Sequence, residues 1–181
     1  MADEYLDLVD DDNQLTGKSE LRSVVHSTGL WHRTVHIYLF KKSGDGIEFL
    51  VHLRSKDKDL HPNCWDARFG GHIKAGVSLE GGVMSELKEE LGLTVGVSKL
   101  LEGEWRKADK YPNCEFSKVY YLEYNEPLEN LHFNDGEVQE IKWLPAEEIL
   151  HSMGENPEGW AGRRDSFEEV FNFLKSKIEV R

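Results

Sequence analysis

Residues Gly71 to Leu93 read GHIKAGVSLEGGVMSELKEELGL, a glycine-led loop that runs into a helix. Ser78 stands where an N-cap belongs, and Gly92 stands just past the last periodic residue, where a C-terminal glycine belongs. Val83, Met84, Leu87 and Leu91 recur at the helical period and make one apolar stripe. At about 100° per residue, Glu86, Glu89 and Glu90 form a second stripe about a third of a turn away. Gly81 and Gly82 each cost about 1 kcal/mol relative to Ala inside a helix, which close packing of that helix on a strand would explain.

Three carboxylates along one border carry a cost. Like charges at i and i+4 repel by about 0.2–0.5 kcal/mol, and no Lys or Arg stands three or four residues from any of the three. They also occupy the last turns, where the helix dipole disfavours negative charge. A hard divalent cation, Mg²⁺ or Mn²⁺, is the counter-charge such a cluster calls for. The plain alternative is a solvated acidic face.

Working outward, RSKDKDLHPNCWDARFGGH (54–72) has little periodicity and reads as a functional loop feeding the helix. Its Arg54, Lys56 and Lys58 bring positive charge beside an acidic site, or simply balance Asp57 and Asp59. Before it, HRTVHIYLF (32–40) and Ile47 to Leu53 are strand patterns joined by a hairpin at 42–46. Tyr5 to Val9 alternates like a strand and meets Asp10-Asp11-Asp12-Asn13, read as a solvated turn. From Thr16 to His26 a short helix is expected, broken by Ser27-Thr28-Gly29. After the acidic helix, Lys99 to Lys107 and Glu115 to Tyr124 read as strands about a turn, and Glu137 to Leu144 as another. Pro145 is expected to open a short helix from its first position. Ser166 to Ile178 is amphipathic, with Phe167, Val170, Phe171, Phe173 and Leu174 on its apolar side. Strands interleaved with helices imply an α/β fold with helices on both faces of a mixed sheet.

At 181 residues the chain is expected to be one domain, 1–181, with an N-terminal strand and helix extension (1–30) and a C-terminal helix at about 166–178. A net charge of −12 argues against binding a nucleic-acid polymer or an anionic membrane. It also means that an anionic small molecule needs cations or local basic groups to stay. Two cysteines, Cys64 and Cys114, imply no disulfide framework and a reducing compartment. Cys64, near His61, is read as a structural thiol rather than a nucleophile. The N-terminus lacks an apolar signal core and no run reaches membrane-spanning length, so a cytoplasmic location is expected.

The stretch from Gly71 resembles the Nudix box: Gly, five residues, Glu, seven residues, then Arg-Glu-apolar-x-Glu-Glu-x-Gly-apolar. Gly71 fills the first position, Glu86-Leu87 the Glu-apolar pair, Glu89-Glu90 the double acid and Gly92-Leu93 the end. Val77 stands where the family has its first Glu, and Ser85 where it has an Arg that orients a metal-binding Glu. The similarity extends from Tyr5 to about Ile149. The order Asp-Leu-Val-Asp-Asp-Asp, HRTVHIYLF, LRSKDKDLHPNCWD, Gly-Gly-His and EVQEIKWLP resembles the isopentenyl-diphosphate isomerase-like branch of the Nudix superfamily.

That resemblance implies a Nudix-type α/β/α sandwich around a mixed β-sheet. It implies Mg²⁺ or Mn²⁺ on Glu86, Glu89 and Glu90, and hydrolysis of a diphosphate linkage in a nucleoside-diphosphate-type or related small molecule. One of these acids, or Glu115, is expected to take the proton from water. Arg54 and Lys58 match basic residues of the branch and, with Gly71 and Arg33, are the expected substrate-binding groups. Trp65, Trp105 and Tyr111 are read either as an aromatic wall or as core. Members of the branch hold another divalent metal on histidines and acids. His26, His32, His72 and Glu115 match those positions, while Ser117 replaces a further ligand; each histidine is otherwise an ordinary hydrogen-bonded one, and His36 is read as structural. True isomerases use a Cys and a Glu as acid and base. Gly70 and Ser117 occupy those places here, and neither exchanges protons at neutral pH. Isomerase-like activity is therefore an alternative to hydrolysis, as is a catalytically weak module that only binds a diphosphate or nucleotide.

Overall fold

Both faces of β3 are covered in the computed structural model, which describes residues 4–44, 46–58, 60–133 and 136–178. Asp45 of the hairpin and Asp59 of the loop lie outside the described residues. In chain order the elements are β1 (Tyr5–Val9), β2 (Leu15–Leu21), α1 (Arg22–Thr28), β3 (His32–Ser43), β4 (Gly46–Arg54) and β5 (Trp65–Asp66). There follow α2 (Leu79–Leu91), β6 (Leu101–Lys110), β7 (Asn113–Glu123), β8 (Val138–Pro145), α3 (Ala146–Glu155) and α4 (Arg164–Ile178). The main sheet runs β5-β4-β3-β7-β6, with β8 also paired to β4. Only the β3–β7 pairing is parallel among its described strand pairs, so the sheet is mixed.

Burial on both faces explains why β3 reads as a nearly continuous apolar run. On one face Val83, Leu87 and Leu91 of α2 join Val35, Ile37, Leu39, Leu50 and Phe69. On the other, Ile149 and Met153 of α3 and Phe167, Val170, Phe171 and Leu174 of α4 join Tyr38, Phe40, Phe49, Val51 and Tyr121. The expected α/β/α sandwich is the observed one. No helix among the described residues is long and apolar enough to cross a membrane.

Several local expectations change. Residues 15–21 are a strand, not the start of a helix: they pair antiparallel with β1 across the turn at Asp10–Asn13, and Gly17 has φ +74°, which no helix accommodates. The helix begins only at Arg22 and ends at Gly29, whose left-handed backbone donates to the Val25 carbonyl. Met84 is exposed, so the apolar stripe of α2 is narrower than its sequence implies. Pro145 ends β8 and precedes the first helical residue of α3 rather than occupying it. Trp65 and Trp105 lie on the two edge strands β5 and β6, and Tyr111 is exposed with its hydroxyl on the Ser27 carbonyl, so the three do not form one aromatic wall.

The loop that leads into α2 is anchored by Asp66 and Arg68. Arg68 donates through Nε and Nη2 to the two carboxylate oxygens of Asp66, at 3.0 and 3.1 Å, and its backbone N–H adds a third bond. Burial pushes the Asp66 carboxyl up, but the charge and hydrogen bonds of Arg68 outweigh it and hold the pKa at about 2, below the ordinary 3.8. The pair's contribution is thus complete above pH 3.8 and lost as pH falls through about 2. Removing one partner of a buried pair leaves an uncompensated charge. Arg68→Ala is expected to lower stability by about 3 kcal/mol at neutral pH, with the deficit shrinking toward pH 2, as urea melts across pH would show.

Candidate metal and catalytic site

The segment 69–73 lies against β3, with Phe69 opposite Ile37 and His72 opposite Thr34. Successive residues of an extended segment face opposite sides, and here that alternation separates two polar clusters. Gly71 faces α2: a Cβ there would lie 3.0 Å from Oε1 and 3.1 Å from Oε2 of Glu86. His72 faces the other way, against the rings of His26 and His32.

On the α2 side, Ser78 caps the helix by accepting the Gly81 N–H, and Gly92 ends it at φ +69°. Gly82 meets Ile73 where a Cβ would come to 3.2 Å, so the close approach is to a loop side chain. Glu86 is 9% exposed. Burial, reinforced by Glu90 and Glu89, pushes its pKa from 4.5 up to about 8. Glu90 accepts the Gly70 N–H at 3.0 Å. Glu89 points outward, where Ser85 donates to it at 2.6 Å and Lys74 lies 3.3 Å away; the Ser85 bond comes first in holding its pKa below the ordinary range.

Lys74 is a counter-charge that the sequence reading does not supply, because it comes from the loop rather than from α2. Ser85, at i and i+4 from Glu89, was legible in the helical period. Together they give Glu89 the orienting bond and positive charge that an Arg at position 85 would give. Glu86 and Glu90 sit nearest the backbone of Gly70 and Gly71.

On the opposite side, the Nε2 atoms of His26 and His72 are 3.0 Å apart. Donor atoms of His26, His32 and His72 all lie within 4.8 Å of one another, and among the described residues this is the trio whose metal-type donors converge. His32 Nδ1 lies 3.0 Å from the Leu30 carbonyl, while its fully buried Nε2 has no hydrogen-bond partner among the described residues. A bond from Nδ1–H to a carbonyl is what leaves Nε2 bare for a metal. Burial comes first in lowering the pKa of His26 and of His72, the latter to about 2, so both rings are neutral, the form that binds metal. Glu115 lies opposite His32 in the β3–β7 register, with its Oε2 3.9 Å from Nε2. Donors around a tetrahedral ion with bonds of about 2.0–2.1 Å stand about 3.3 Å apart. The spacings of 3.0 and 3.9 Å lie on either side of that value and the histidine donors spread over up to 4.8 Å, so the donor set suits a divalent ion once the rings close on it.

The expected substrate-binding groups have internal partners. Arg33 donates to the Asn13 side chain and carbonyl and stacks on Trp105. Arg54 donates to the Leu60 carbonyl, and Lys58 pairs with Glu137. Cys64 faces the carbonyls of Pro62 and Glu158, which suits a structural thiol. His36 is held to about 3 by burial, in keeping with a structural role. A groove of about 500 Å³ between β6 and α4, lined by Trp105, Arg106, Tyr121 and Phe173 among others, includes neither cluster.

The NUDIX domain family matches residues 30–169. An uncharacterized Nudix hydrolase of Clostridium acetobutylicum is 31% identical over 163 residues, covering 88% of this chain and 78% of that protein. Nudix hydrolase 3 of Arabidopsis thaliana is 29% identical over 99% of this chain, which spans only 24% of that relative's length. Among solved structures, DR0079 from Deinococcus radiodurans superposes with a TM-score of 0.70 at 25% identity, over 94% of this chain and 99% of its own. The isopentenyl-diphosphate Delta-isomerase of Aliivibrio fischeri is similar at 26% identity over 86% of this chain and 87% of its own, in line with the isomerase-like branch. The box glycine seated on a buried helix carboxylate, the sandwich around it and these likenesses agree: the chain belongs to the Nudix hydrolase family.

Proposed function

We propose that this hydrolase cleaves a diphosphate linkage in a nucleoside-diphosphate-type or related small molecule, with Mg²⁺ or Mn²⁺ held by Glu86, Glu89 and Glu90. The observation that carries the reading is Glu86, a buried carboxyl seated on a glycine beside further acids, whose raised pKa marks a site short of positive charge. When bound, such an ion neutralises the diphosphate oxygens and stabilises charge at the phosphorus under attack.

The chain's own part is positioning. Gly71 leaves room for Glu86, the Gly70 N–H turns Glu90 inward, and Ser85 with Lys74 keeps Glu89 ionised. Proton acceptance from water is assigned to these helix acids rather than to Glu115, which faces the histidines. Arg54 and Lys58 would exchange their present partners for the distal phosphate, while Arg33 secures the N-terminal turn. The second divalent ion is held by His26, His32, His72 and Glu115. Residues 1–181 work as one domain in this reading, since β1 bonds to the loop before α2 through Tyr5 and Ala75. Free Cys64 and Cys114 suit a reducing, cytoplasmic setting.

A panel of nucleoside diphosphate derivatives, dinucleotides and prenyl diphosphates, assayed with Mg²⁺, tests the proposal. Turnover of at least one member is expected, falling by about 10²-fold or more in the double variant Glu89→Gln plus Glu90→Gln. Binding of a member with turnover of none would replace hydrolysis by the binding-module reading.

A further inference from the structure

The histidine cluster has a feature that its ligand atoms alone do not explain. Thr34 Oγ1 donates to Ser117 Oγ at 2.8 Å, and Ser117 Oγ donates to Glu115 Oε1 at 3.4 Å. Thr34 and Ser117 are 4% and 3% exposed, so this chain of hydroxyls is sealed from water. It follows from the register: Thr34 stands opposite Ser117, and His32 opposite Glu115, one step along the same face. The two oxygens of Glu115 therefore divide their work. Oε1 takes the hydroxyl bond, and Oε2 faces the bare, buried Nε2 of His32.

We propose that Ser117, backed by Thr34, is a positioning residue. It holds Glu115 as the single, one-oxygen carboxylate of a site made of three imidazoles and one carboxylate. This rests on the second-ion reading given under the proposed function and is independent of the Glu86 cluster. A hydroxyl at 117 cannot supply the negative charge of a carboxylate, but it can fix the rotation of the carboxylate two residues away. Outer hydrogen bonds of that kind orient ligands and raise metal affinity by about 10–100-fold. Nitrogen-rich donors favour Zn²⁺-like ions over Mg²⁺. With four protein donors the site is closed, which is the mark of a structural ion rather than a catalytic one. Such an ion would pin α1, through His26, to β3, β7 and the segment before α2.

Titration of the full chain with Co²⁺, an optical stand-in for Zn²⁺, tests this by absorption and affinity. The unaltered protein is expected to give the intense visible bands of four-coordinate Co²⁺. Ser117→Ala is expected to weaken binding by about 10–100-fold and to shift the bands. Thr34→Val should move both in the same direction by less. Ser117→Glu, which adds a second carboxylate, should bind while its bands collapse to the weak intensity of higher coordination. Unaltered affinity and spectrum in both Ser117→Ala and Thr34→Val would overturn the role of Ser117 alone. Absence of Co²⁺ binding by the unaltered protein, or unchanged binding in His32→Ala, would overturn the second-ion reading and this role with it, while tight binding with only weak bands would overturn the closed, four-donor site. Hydrolysis supported by Mg²⁺ stands or falls separately.

Discussion

Glu86→Gln is expected to lower hydrolysis by about 10²-fold or more while leaving the metal-free protein more stable at alkaline pH. The stability half follows from linkage. In the fold the carboxyl of Glu86 has its pKa raised from 4.5 to about 8 by burial and by Glu90 and Glu89. Its contribution to stability is fully present below pH 4.5 and is lost as pH rises through about 8. Glutamine keeps the shape and never ionises, so the variant escapes that loss. In chelator, the melting temperature of the unaltered protein should fall between these limits, and the curve of the variant should be flatter. The activity half rests on the proposed role of that same charge in recruiting the cation. Adding Mg²⁺ should raise the melting point of the unaltered protein and leave that of Glu86→Gln nearly unmoved, with activity down by about 10²-fold or more. Equal Mg²⁺ stabilisation in both proteins would remove Glu86 from the metal site.

Gly70→Ala should be among the most damaging single changes in the chain. Gly70 has φ +124°, and a Cβ there would lie 2.2 Å from the Val35 carbonyl oxygen and 3.1 Å from its carbon. Both neighbours are backbone of the central strand, so nothing flexible can yield. Strain of this kind costs about 1–3 kcal/mol, and forced overpacking adds about 1–3 more, so a loss of about 3 kcal/mol or greater is expected in urea unfolding. Moving Gly70 would also break its N–H bond to Glu90, so activity falls with stability. Gly71→Ala offers the contrast: its Cβ would come nearest the flexible end of Glu86, at 3.0 Å, and the milder variant should fold while losing Mg²⁺ affinity. A Gly70→Ala protein that unfolds at the urea concentration of the unaltered chain would show that β3 yields at Val35.

The same geometry weighs against the isomerase alternative, which the substrate panel tests directly. The isomerase resemblance places a cysteine at position 70, and this backbone has no room for one. Gly70→Cys is therefore no route back to isomerase chemistry, and Ser117 is engaged in orienting Glu115 rather than in moving protons.

Periodicity and punctuation made the α2 helix, its caps, most strands and the sandwich legible, because each depends on interactions within a few residues or on a burial pattern that repeats along the chain. The acid stripe was legible for the same reason: three side chains on one helix share a border whatever else the fold does. The β1–β2 hairpin was not, since residues 15–21 become a strand only by pairing with Tyr5–Val9. Neither was the counter-charge Lys74, which reaches Glu89 from a loop, nor the division of the site into an acid side and a histidine side by the alternation of Gly71 and His72. Sequence alone thus determined which chemical groups the protein carries and the local elements that bear them. Tertiary structure decided which groups meet, how deeply Glu86 is desolvated and which of Glu115's oxygens faces His32, because those depend on distances between segments that only packing brings together.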